Sequence, residues 1–384
     1  MRMLHTSDWH IGRSFHGHST LDALSGVLDE LVARVRDEDV DVVIVAGDVF
    51  DSAAPSAACY PVLTSALRGM ADAGARVIVT SGNHDSAARL GFQAELLREG
   101  IHIVTDPRTV GTPITIDDAD GPVHVYALPY LEPALVRHVW PDVPLRTQHQ
   151  VIEHAMGLVR ADMAERGGRS VVVSHCFAAG VEATPGVERE IRQGTLDVVP
   201  LSAFDGPDYV ALGHIHGRQK LSDRVRYAGA PLYYSFGEAD KPRGAWIVDL
   251  DAQGLAGVAW LDLPVPRALT TIRGTLDELL NDPRHAAAED EWVCAQYTDP
   301  TPQPDPMRRL LTRFSHCATV MHQPEGARED DGLSYARRVR AARSDAELID
   351  SFLVHVRDGE GATAREAEII GDVIGERVVA EATA

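Results

Sequence analysis

Basic charge, and lysine above all, is scarce in this chain of 384 residues. Aspartate and glutamate number 57 against 36 lysines and arginines, which gives a formal net charge of −21. Only two of the basic residues are lysines, Lys220 and Lys241. This balance excludes the chain-wide basic footprint that marks many nucleic-acid-binding proteins, although it does not exclude a local binding site.

Cysteines and long apolar runs are also scarce. The four cysteines are widely spaced and none forms a CxxC pair, which is typical of buried free thiols in a reducing compartment. The N-terminal residues lack the apolar core of a signal peptide, and no run of about 18 apolar residues is present to cross a membrane. We therefore expect a cytoplasmic protein that does not bind a membrane.

The first half of the sequence alternates apolar, β-branched runs with amphipathic helical patterns. DVVIVA at 41–46 and RVIVT at 76–80 indicate strands buried on both faces. Leucines at helical spacing over 20–38 predict a helix that precedes the first of these strands. This alternation predicts an α/β fold in which helices cover a mostly parallel sheet.

Changes of pattern along the chain predict three regions. The α/β pattern and the strands that follow it occupy residues 1–263. Residues 267–322 have a β-α-β-α-β pattern, which predicts a small α/β capping domain, and residues 335–384 have helical patterns with narrow apolar stripes. Amphipathic helices with little chain to cover them commonly bind a partner, although they could also pack against the small domain.

Polar residues typical of metal ligands directly follow five of the predicted strands. The patterns are D-x-H, G-D-x-x-D, G-N-H-D, a single histidine and G-H-x-H, in that order. Because ligands bind at the carboxyl ends of the strands in open α/β sheets, we expect these side chains to converge. The candidate metal ligands are Asp8, His10, Asp48, Asn83, His175, His214 and His216.

The chemistry of this set indicates the kind of ion. Oxygen and nitrogen donors without thiolates favour Mn²⁺ or another hard divalent ion. Seven donors are too many for one ion that also binds water and substrate, so we expect two ions, an arrangement suited to phosphoester hydrolysis. Each motif alone is more often a turn or a buried core residue, and only the ordered set argues for a metal centre. Cys176 lies on the opposite face of its strand from His175 and is not expected to be a nucleophile.

The ordered set resembles the signature of the calcineurin-like metallophosphoesterase superfamily. The segments HTSDWHIG, VAGDVFD, SGNHDS, ALGHIHGRQ and GAPLYYSFGE are similar to those of bacterial SbcD nuclease subunits. The resemblance implies a sandwich of sheets with helices on the outer faces, a small α/β cap domain and C-terminal helices. It also implies two divalent ions, most favourably Mn²⁺. The first ion would be held by Asp8, His10, Asp48 and His216, and the second by Asp48, Asn83, His175 and His214.

The same resemblance implies roles for residues that are not metal ligands. His84 would face the scissile phosphate and donate a hydrogen bond to it. Asp51 would pair with His84, which would raise the pKa of the imidazole and favour its protonated form. Four basic residues just beyond the metal motifs would contact the DNA backbone. They are Arg13, Arg89, Arg218 and Lys220.

The resemblance further implies the nuclease subunit of an SbcCD-like complex, which cleaves double-stranded DNA ends and hairpins in DNA repair, replication and recombination. The C-terminal helices would bind an SbcC-like ABC-type ATPase, and this partner would supply the ATP dependence because the chain has no P-loop motif. A homodimer that forms a heterotetramer with the ATPase, nucleoid-associated when on DNA, is expected. Two alternatives stay open: a stand-alone phosphodiesterase or phosphatase for small molecules, and a DNA-end tether whose nuclease activity is incidental.

Overall fold

The computed structural model describes the chain in four stretches, residues 1–179, 198–324, 344–357 and 361–383. The chain forms two compact units. The first comprises Met1–Thr271 with Ala287–Cys294, and the second comprises Ile272–Ala286 with Ala295–Ala384. Among the described residues, no helix is both long enough and apolar enough to cross a bilayer.

The described residues form seventeen strands and nine α-helices. The strands are β1 (Arg2–Thr6), β2 (Ser14–Phe15), β3 (His18–Ser19), β4 (Val42–Ala46), β5 (Arg76–Thr80), β6 (Ile101–Val104), β7 (Ile114–Asp118), β8 (Gly121–Ala127), β9 (Arg169–His175), β10 (Tyr209–Gly213), β11 (Gln219–Lys220), β12 (Val225–Tyr227), β13 (Gly244–Asp251), β14 (Gly254–Asp262), β15 (Leu269–Gly274), β16 (Trp292–Tyr297) and β17 (Cys317–His322). The helices are α1 (Leu21–Asp37), α2 (Cys59–Asp72), α3 (Ala87–Leu90), α4 (Pro133–Val136), α5 (Gln148–Arg166), α6 (Leu276–Asn281), α7 (Pro306–Leu310), α8 (Asp345–Val356) and α9 (Ala364–Thr383).

Two six-stranded sheets build the first unit. Their strand orders are β14-β13-β1-β4-β5-β6 and β11-β12-β10-β9-β8-β7. In the first sheet β1, β4, β5 and β6 are parallel, and in the second β8, β9, β10 and β12 are parallel. Antiparallel strands flank both parallel sets. The predicted α/β class with mostly parallel strands is therefore confirmed.

The apolar run of β4 shows why this fold requires strands that are buried on both faces. Val42, Ile44 and Ala46 join a core that lies between the two sheets. Val43 and Val45, which alternate with them, pack with the apolar stripes of α1 and α2. Helix α5 covers the outer face of the second sheet in the same way. The sandwich thus has helices outside and two sheets inside.

The structure also adds details that the sequence pattern did not predict. The hairpin of β7 and β8 completes the second sheet, although no strand was predicted there. Thr20 occupies the N-cap position of α1, but its side chain accepts no hydrogen bond from the helix, and its hydroxyl donates to the Arg13 carbonyl. That bond ties the start of α1 to the loop that follows the first metal motif.

A three-stranded sheet has the order β15-β16-β17, with α6 and α7 between successive strands along the chain. By the bounds given above, β17 belongs to the second unit, whereas β15 and β16 are divided between the two units. Helices α8 and α9 follow, and Arg357 joins them through an ion pair with Glu366. Residues 335–343 of the predicted helical region lie outside the described residues. Six apolar side chains of these two helices are more than a third exposed: Leu348, Ile349, Phe352, Val356, Ile369 and Val373.

Candidate metal centre

All seven predicted metal ligands lie at carboxyl ends of parallel strands, where the edges of the two sheets meet. Each strand end supplies one or two of them because parallel strands finish at the same edge. They are Asp8 and His10 after β1, Asp48 after β4, Asn83 after β5, His175 at the end of β9, and His214 and His216 after β10. The structure therefore brings all seven together.

The loops that carry these ligands have unusual backbone conformations. Asp8, His10, Asp48 and His214 all have positive φ angles, of 54°, 46°, 49° and 106°. Such conformations cost about 1–3 kcal/mol each in residues with a side chain, and persist only where the surroundings hold them. Gly82 is also required by close packing, because a Cβ atom there would overlap the backbone nitrogen and the carboxylate of Asp48.

Hydrogen bonds between different loops hold the two acidic ligands in place. The backbone N–H of His84 donates to Asp48 Oδ1 at 2.8 Å. The backbone N–H of His214 donates to Asp8 Oδ1 at 3.0 Å, across the gap between the two sheets. Each carboxylate thus orients another ligand loop, which offsets part of the backbone strain.

Asp85, the last residue of the G-N-H-D motif, joins two of these loops. Its carboxylate accepts hydrogen bonds from the backbone N–H groups of Val49 (3.0 Å), Phe50 (2.8 Å) and Gly82 (2.8 Å). Burial and the nearby Asp48 carboxylate raise the pKa of Asp85 to about 7. Asp85 therefore orients the loops that carry the ligands and does not itself reach the metal clusters described below.

The first cluster contains Asp8, His10, Asp48 and His216, and His84 also lies within ligand distance of His10 and Asp48. His10 Nε2 lies 3.0 Å from His216 Nε2 and 3.6 Å from Asp48 Oδ2. Asp8 offers a carboxylate oxygen within 4.8 Å of ligand atoms of His10 and His216. All four residues are buried. These donors face one small volume, as ligands of a single ion do.

The second cluster contains Asp48, Asn83, His175 and His214. Asn83 Oδ1 lies 3.0 Å from His175 Nε2 and 2.9 Å from His214 Nδ1. Asp48 Oδ2, which faces the first cluster, also lies 3.4 Å from His175 Nε2. Asp48 Oδ2 therefore lies close to histidines of both clusters.

The electrostatics of the clusters fit divalent cations. Burial and the neighbouring Asp48 raise the pKa of Asp8 to about 7, whereas, against the effect of burial, the adjacent histidines hold the pKa of Asp48 well below its usual range. A nearby cation would therefore favour the ionised form of Asp8. Burial lowers the pKa of His214 to about 3 and that of His216 well below its usual value, which keeps these imidazoles neutral, the form that binds metals. Burial also opposes protonation of His175, but the adjacent carboxylates raise its pKa to about 9. Hard oxygen and nitrogen donors of this kind suit Mn²⁺-like ions.

The Asp51 carboxylate has three cationic or titratable neighbours, and His84 is the most distant of them. Asp51 Oδ1 lies 3.2 Å from His10 Nδ1, 3.2 Å from Arg13 Nη1 and 4.0 Å from His84 Nδ1. Although partial burial raises the pKa of Asp51, the contacts with His10 and Arg13 lower it overall. His84 Nδ1 instead lies 2.8 Å from the backbone oxygen of Asp51, to which it donates. The predicted carboxylate–His84 pair is thus secondary to a carboxylate–His10 pair.

Two of the predicted DNA contacts are engaged within the protein. Arg13 reaches Asp51 and lies over the ring of Tyr234, 4.9 Å from its centroid. Arg89 is exposed and donates to the Ala53 carbonyl. Arg13 therefore contacts residues that surround the first cluster, and its role as a DNA contact stays a prediction.

The other two lie on an exposed segment after His216. Arg218 is exposed and stacks on Trp260, 4.7 Å from the ring centroid. Lys220 forms an exposed ion pair with Asp223 at 2.6 Å. Exposed pairs of this kind contribute about 0–1 kcal/mol and can exchange partners, so both residues stay available to a phosphate.

A cleft of about 1030 Å³ opens beside the second cluster. It combines ligand residues with aromatic and charged side chains. Its lining includes Asn83, His214, Tyr130, Glu132, Arg137, Arg146 and Phe177. Sequence reasoning did not select the non-ligand members of this set, because all but Phe177 lie far from the motifs along the chain.

The site has a further layer that sequence reasoning missed. Tyr234, Glu238 and Arg243 are buried behind the first cluster. Tyr234 donates from its hydroxyl to the Trp9 carbonyl at 2.6 Å and lies edge-on to both His10 and His216. The signal was present in the GAPLYYSFGE segment, where a charged residue follows an apolar run.

Comparisons with known structures find similar chains at low sequence identity. TT1561 of Thermus thermophilus is similar at 14% identity and a TM-score of 0.40, over 68% of this chain and 98% of its own. A dimetal phosphatase from Danio rerio, LOC 393393, is similar at 13% identity and a TM-score of 0.41, over 69% and 99%. At these values neither similarity informs the activity or substrate of this chain.

Two family profiles match the sequence directly. Residues 265–356 match SbcD_C, described as the Type 5 capsule protein repressor C-terminal domain. Residues 1–218, which contain all seven candidate ligands, match the calcineurin-like phosphoesterase profile. Because that match covers more than half of the 384 residues, this chain belongs to the calcineurin-like phosphoesterase family.

Proposed function

We propose that this protein is a dimetal phosphodiesterase that acts as the nuclease subunit of an SbcCD-like complex. The observation that carries the proposal is a phosphoesterase domain followed by residues 265–356 that match SbcD_C. In this proposal residues 1–263 form the nuclease domain, residues 267–322 cap it, and residues 335–384 bind the ATPase partner. The substrate is double-stranded DNA, at ends and hairpins, in repair, replication and recombination within the cytoplasm.

The ligand residues would hold two divalent ions, which we propose to be Mn²⁺. When bound, such ions neutralise phosphate oxygens and lower the pKa of an attacking water. Asp48 would join the two clusters and keep them at a fixed separation, because its Oδ2 faces both. The backbone strain and the interlocking hydrogen bonds around it would pre-organise the donors before substrate arrives.

His84 is the proposed proton donor. Its Nδ1–H is committed to the Asp51 carbonyl, so its other nitrogen, Nε2, is the one that can face a phosphate. The side chain is 18% exposed, unlike the nearby buried ligands. It can therefore contact substrate while the ligands stay covered. We propose that Nε2–H of the imidazolium donates to the scissile phosphate or the leaving oxygen.

Two features support an ATPase partner that also helps to bind DNA. The exposed apolar side chains of α8 and α9 form surfaces that a soluble chain commonly covers with a partner. The net charge of −21 predicts weak non-specific DNA binding by this chain alone. We propose that an SbcC-like ABC-type ATPase covers the helices and that the complex is a heterotetramer built on a homodimer.

The proposal is tested by nuclease assays on end-labelled duplex and hairpin DNA with Mn²⁺. Cleavage is measured with and without the ATPase partner and ATP, beside hydrolysis of bis-p-nitrophenyl phosphate. We expect both activities, with DNA cleavage stimulated by the partner. Hydrolysis of the small ester without DNA cleavage under any condition would instead support the stand-alone phosphodiesterase.

The variant His84→Gln separates chemistry from metal binding. We expect it to lose DNA cleavage while it still binds both ions, because His84 is outside the two sets of four proposed ligands. A variant that loses the ions together with the activity would show that His84 is a ligand and not the proton donor. DNA cleavage retained at the wild-type rate would show that His84 is not the proton donor.

A further inference from the structure

A fully buried ion pair lies directly behind the first cluster. Glu238, in a short turn over Phe236–Glu238, is 0% exposed, and Arg243, just before β13, is 2% exposed. Arg243 Nη2 donates to Glu238 Oε2 at 2.8 Å. The desolvation cost of a buried ion pair often exceeds its attraction, so such a pair is weak evidence for a purely stabilising role.

The pair holds His216 through its backbone. Arg243 Nη1 donates to the carbonyl of His216 at 2.6 Å and to that of Ala230 at 3.1 Å. The Ala230 N–H also donates to the His216 carbonyl, at 3.0 Å. These bonds fix where the His216 residue sits relative to the strands that carry the other ligands.

The pair also faces the His216 side chain. Glu238 Oε2 accepts from Arg243 and from the Tyr234 N–H, at 3.1 Å, which leaves Oε1. Oε1 lies 3.6 Å from His216 Nδ1. The opposite nitrogen of the same ring, Nε2, lies 3.0 Å from His10 Nε2 inside the first cluster. The imidazole thus presents one nitrogen to the ion site and the other to a buried carboxylate.

We propose that Glu238 is a positioning residue for the first ion, with Arg243 as its anchor. The 3.6 Å between Glu238 Oε1 and His216 Nδ1 is just beyond hydrogen-bond distance, and a small closure would let Oε1 accept from Nδ1–H. That bond would select the tautomer with a lone pair on Nε2 and increase the basicity of that nitrogen. Carboxylates behind metal-bound histidines act in this way. The inference rests on the proposed two-ion centre but not on DNA as the substrate.

The chain offers a matched control. Asp118 and Arg169 form another largely buried carboxylate–arginine pair, at the opposite end of β9 from His175. Asp118→Asn perturbs a buried ion pair without touching the ligands. Glu238→Gln keeps the shape of the side chain but removes its charge. Glu238→Asp keeps the charge that Arg243 needs while it draws the oxygen away from His216.

The test is calorimetric titration of the full chain with Mn²⁺, alongside electron paramagnetic resonance of the loaded protein. For Glu238→Gln we expect one of the two affinities to fall about 10–100-fold, with the other nearly unchanged. The spectrum should change from that of two coupled ions to that of a single Mn²⁺ ion. Glu238→Asp should lose less affinity at the same site, and Asp118→Asn should match the wild type.

Two wild-type affinities retained in Glu238→Gln would overturn the inference, as would an equal loss in Asp118→Asn. If Glu238→Gln does not fold, unchanged affinities in Glu238→Asp would overturn it instead. A wild type that binds two ions and loses one in Glu238→Gln, yet cleaves no DNA, would overturn the proposed function and leave this inference standing.

Discussion

The two halves of the metal centre differ in what lies behind their histidines. In the first half His10 Nδ1 is 3.2 Å from the Asp51 carboxylate, and His216 Nδ1 is 3.6 Å from the Glu238 carboxylate. In the second half His175 Nδ1 is 2.9 Å from the backbone carbonyl of Ala46. The first half therefore depends on acidic side chains, whereas His175 is oriented by the sheet itself.

This difference has a consequence for how the two ions respond to substitution. A carboxylate is a stronger hydrogen-bond acceptor than a backbone carbonyl. It therefore makes the histidine that donates to it a stronger metal ligand. A substitution can remove a carboxylate, but it cannot remove the backbone carbonyl of Ala46. We therefore expect the first ion to be sensitive to residues outside its ligand set, and the second to depend chiefly on its ligands.

The largest loss of activity is expected at Asp48, because this residue belongs to both clusters. Asp48→Asn removes the charge that both ions share. We expect DNA cleavage to fall by at least about a hundredfold, because both sites lose their bridging anion. Calorimetry with Mn²⁺ should show weaker binding of both ions, with Asp118→Asn as the matched control. Weaker binding of only one of the two ions would show that Asp48 does not bridge them.

The positions of the candidate ligands at strand ends were predictable from the sequence because they follow a local rule. A buried strand followed by Asp or His places that side chain at the carboxyl edge of a parallel sheet, and His175 and Asp48 lie where this rule puts them. The same rule explains why the fold class was predictable. β4 and β5 are apolar on both faces, so both faces of their sheet must be covered, which indicates an α/β fold. That a second sheet covers one of these faces was implied only by the family resemblance.

The partners of the ligands were not predictable, because they depend on tertiary contacts. Glu238 lies 22 residues beyond His216 in the sequence, and no spacing rule joins them. Asp51 was expected to face His84, but the loop turns its carboxylate toward His10 and offers His84 its backbone carbonyl. A rotation of one side chain decides between these neighbours, and sequence patterns do not specify such rotations.

A smaller effect, on the affinity of the first ion, is expected from Asp51→Asn, which tests whether the carboxylate behind His10 supports that ion. The substitution removes the carboxylate behind His10, so we expect the affinity of the first ion to fall about tenfold, with little change at the second. It leaves the Asp51 carbonyl that accepts from His84 Nδ1. The acid limb of the pH–rate profile should therefore keep its midpoint.

The controls for Asp51→Asn separate the two neighbours of this residue. His84→Gln should abolish cleavage without changing either affinity, which is the reverse pattern. A shift of the acid limb in Asp51→Asn, with both affinities retained, would restore the carboxylate–His84 pair as the important one. Loss of both ions would indicate damage to the loop as a whole.

A further difference between the two ions is expected in the pH dependence of their binding. Binding the first requires Asp8 to lose a proton, and its pKa is raised to about 7 by burial and Asp48. Binding the second requires His175 to lose a proton, and the adjacent carboxylates raise its pKa to about 9 against the effect of burial. Because each ion displaces a proton, both affinities rise with pH, by at most about tenfold per unit for each proton released.

The first affinity should level off above about pH 7, whereas the second should continue to rise toward about pH 9. Titrations with Mn²⁺ at several pH values, with the two ions distinguished by the Glu238→Gln variant, measure this directly. Parallel curves for the two ions would contradict it, because the halves would then release their protons from groups of equal pKa. Divergent curves would mean that the raised pKa values of Asp8 and His175 set the order in which the two ions bind as the pH rises.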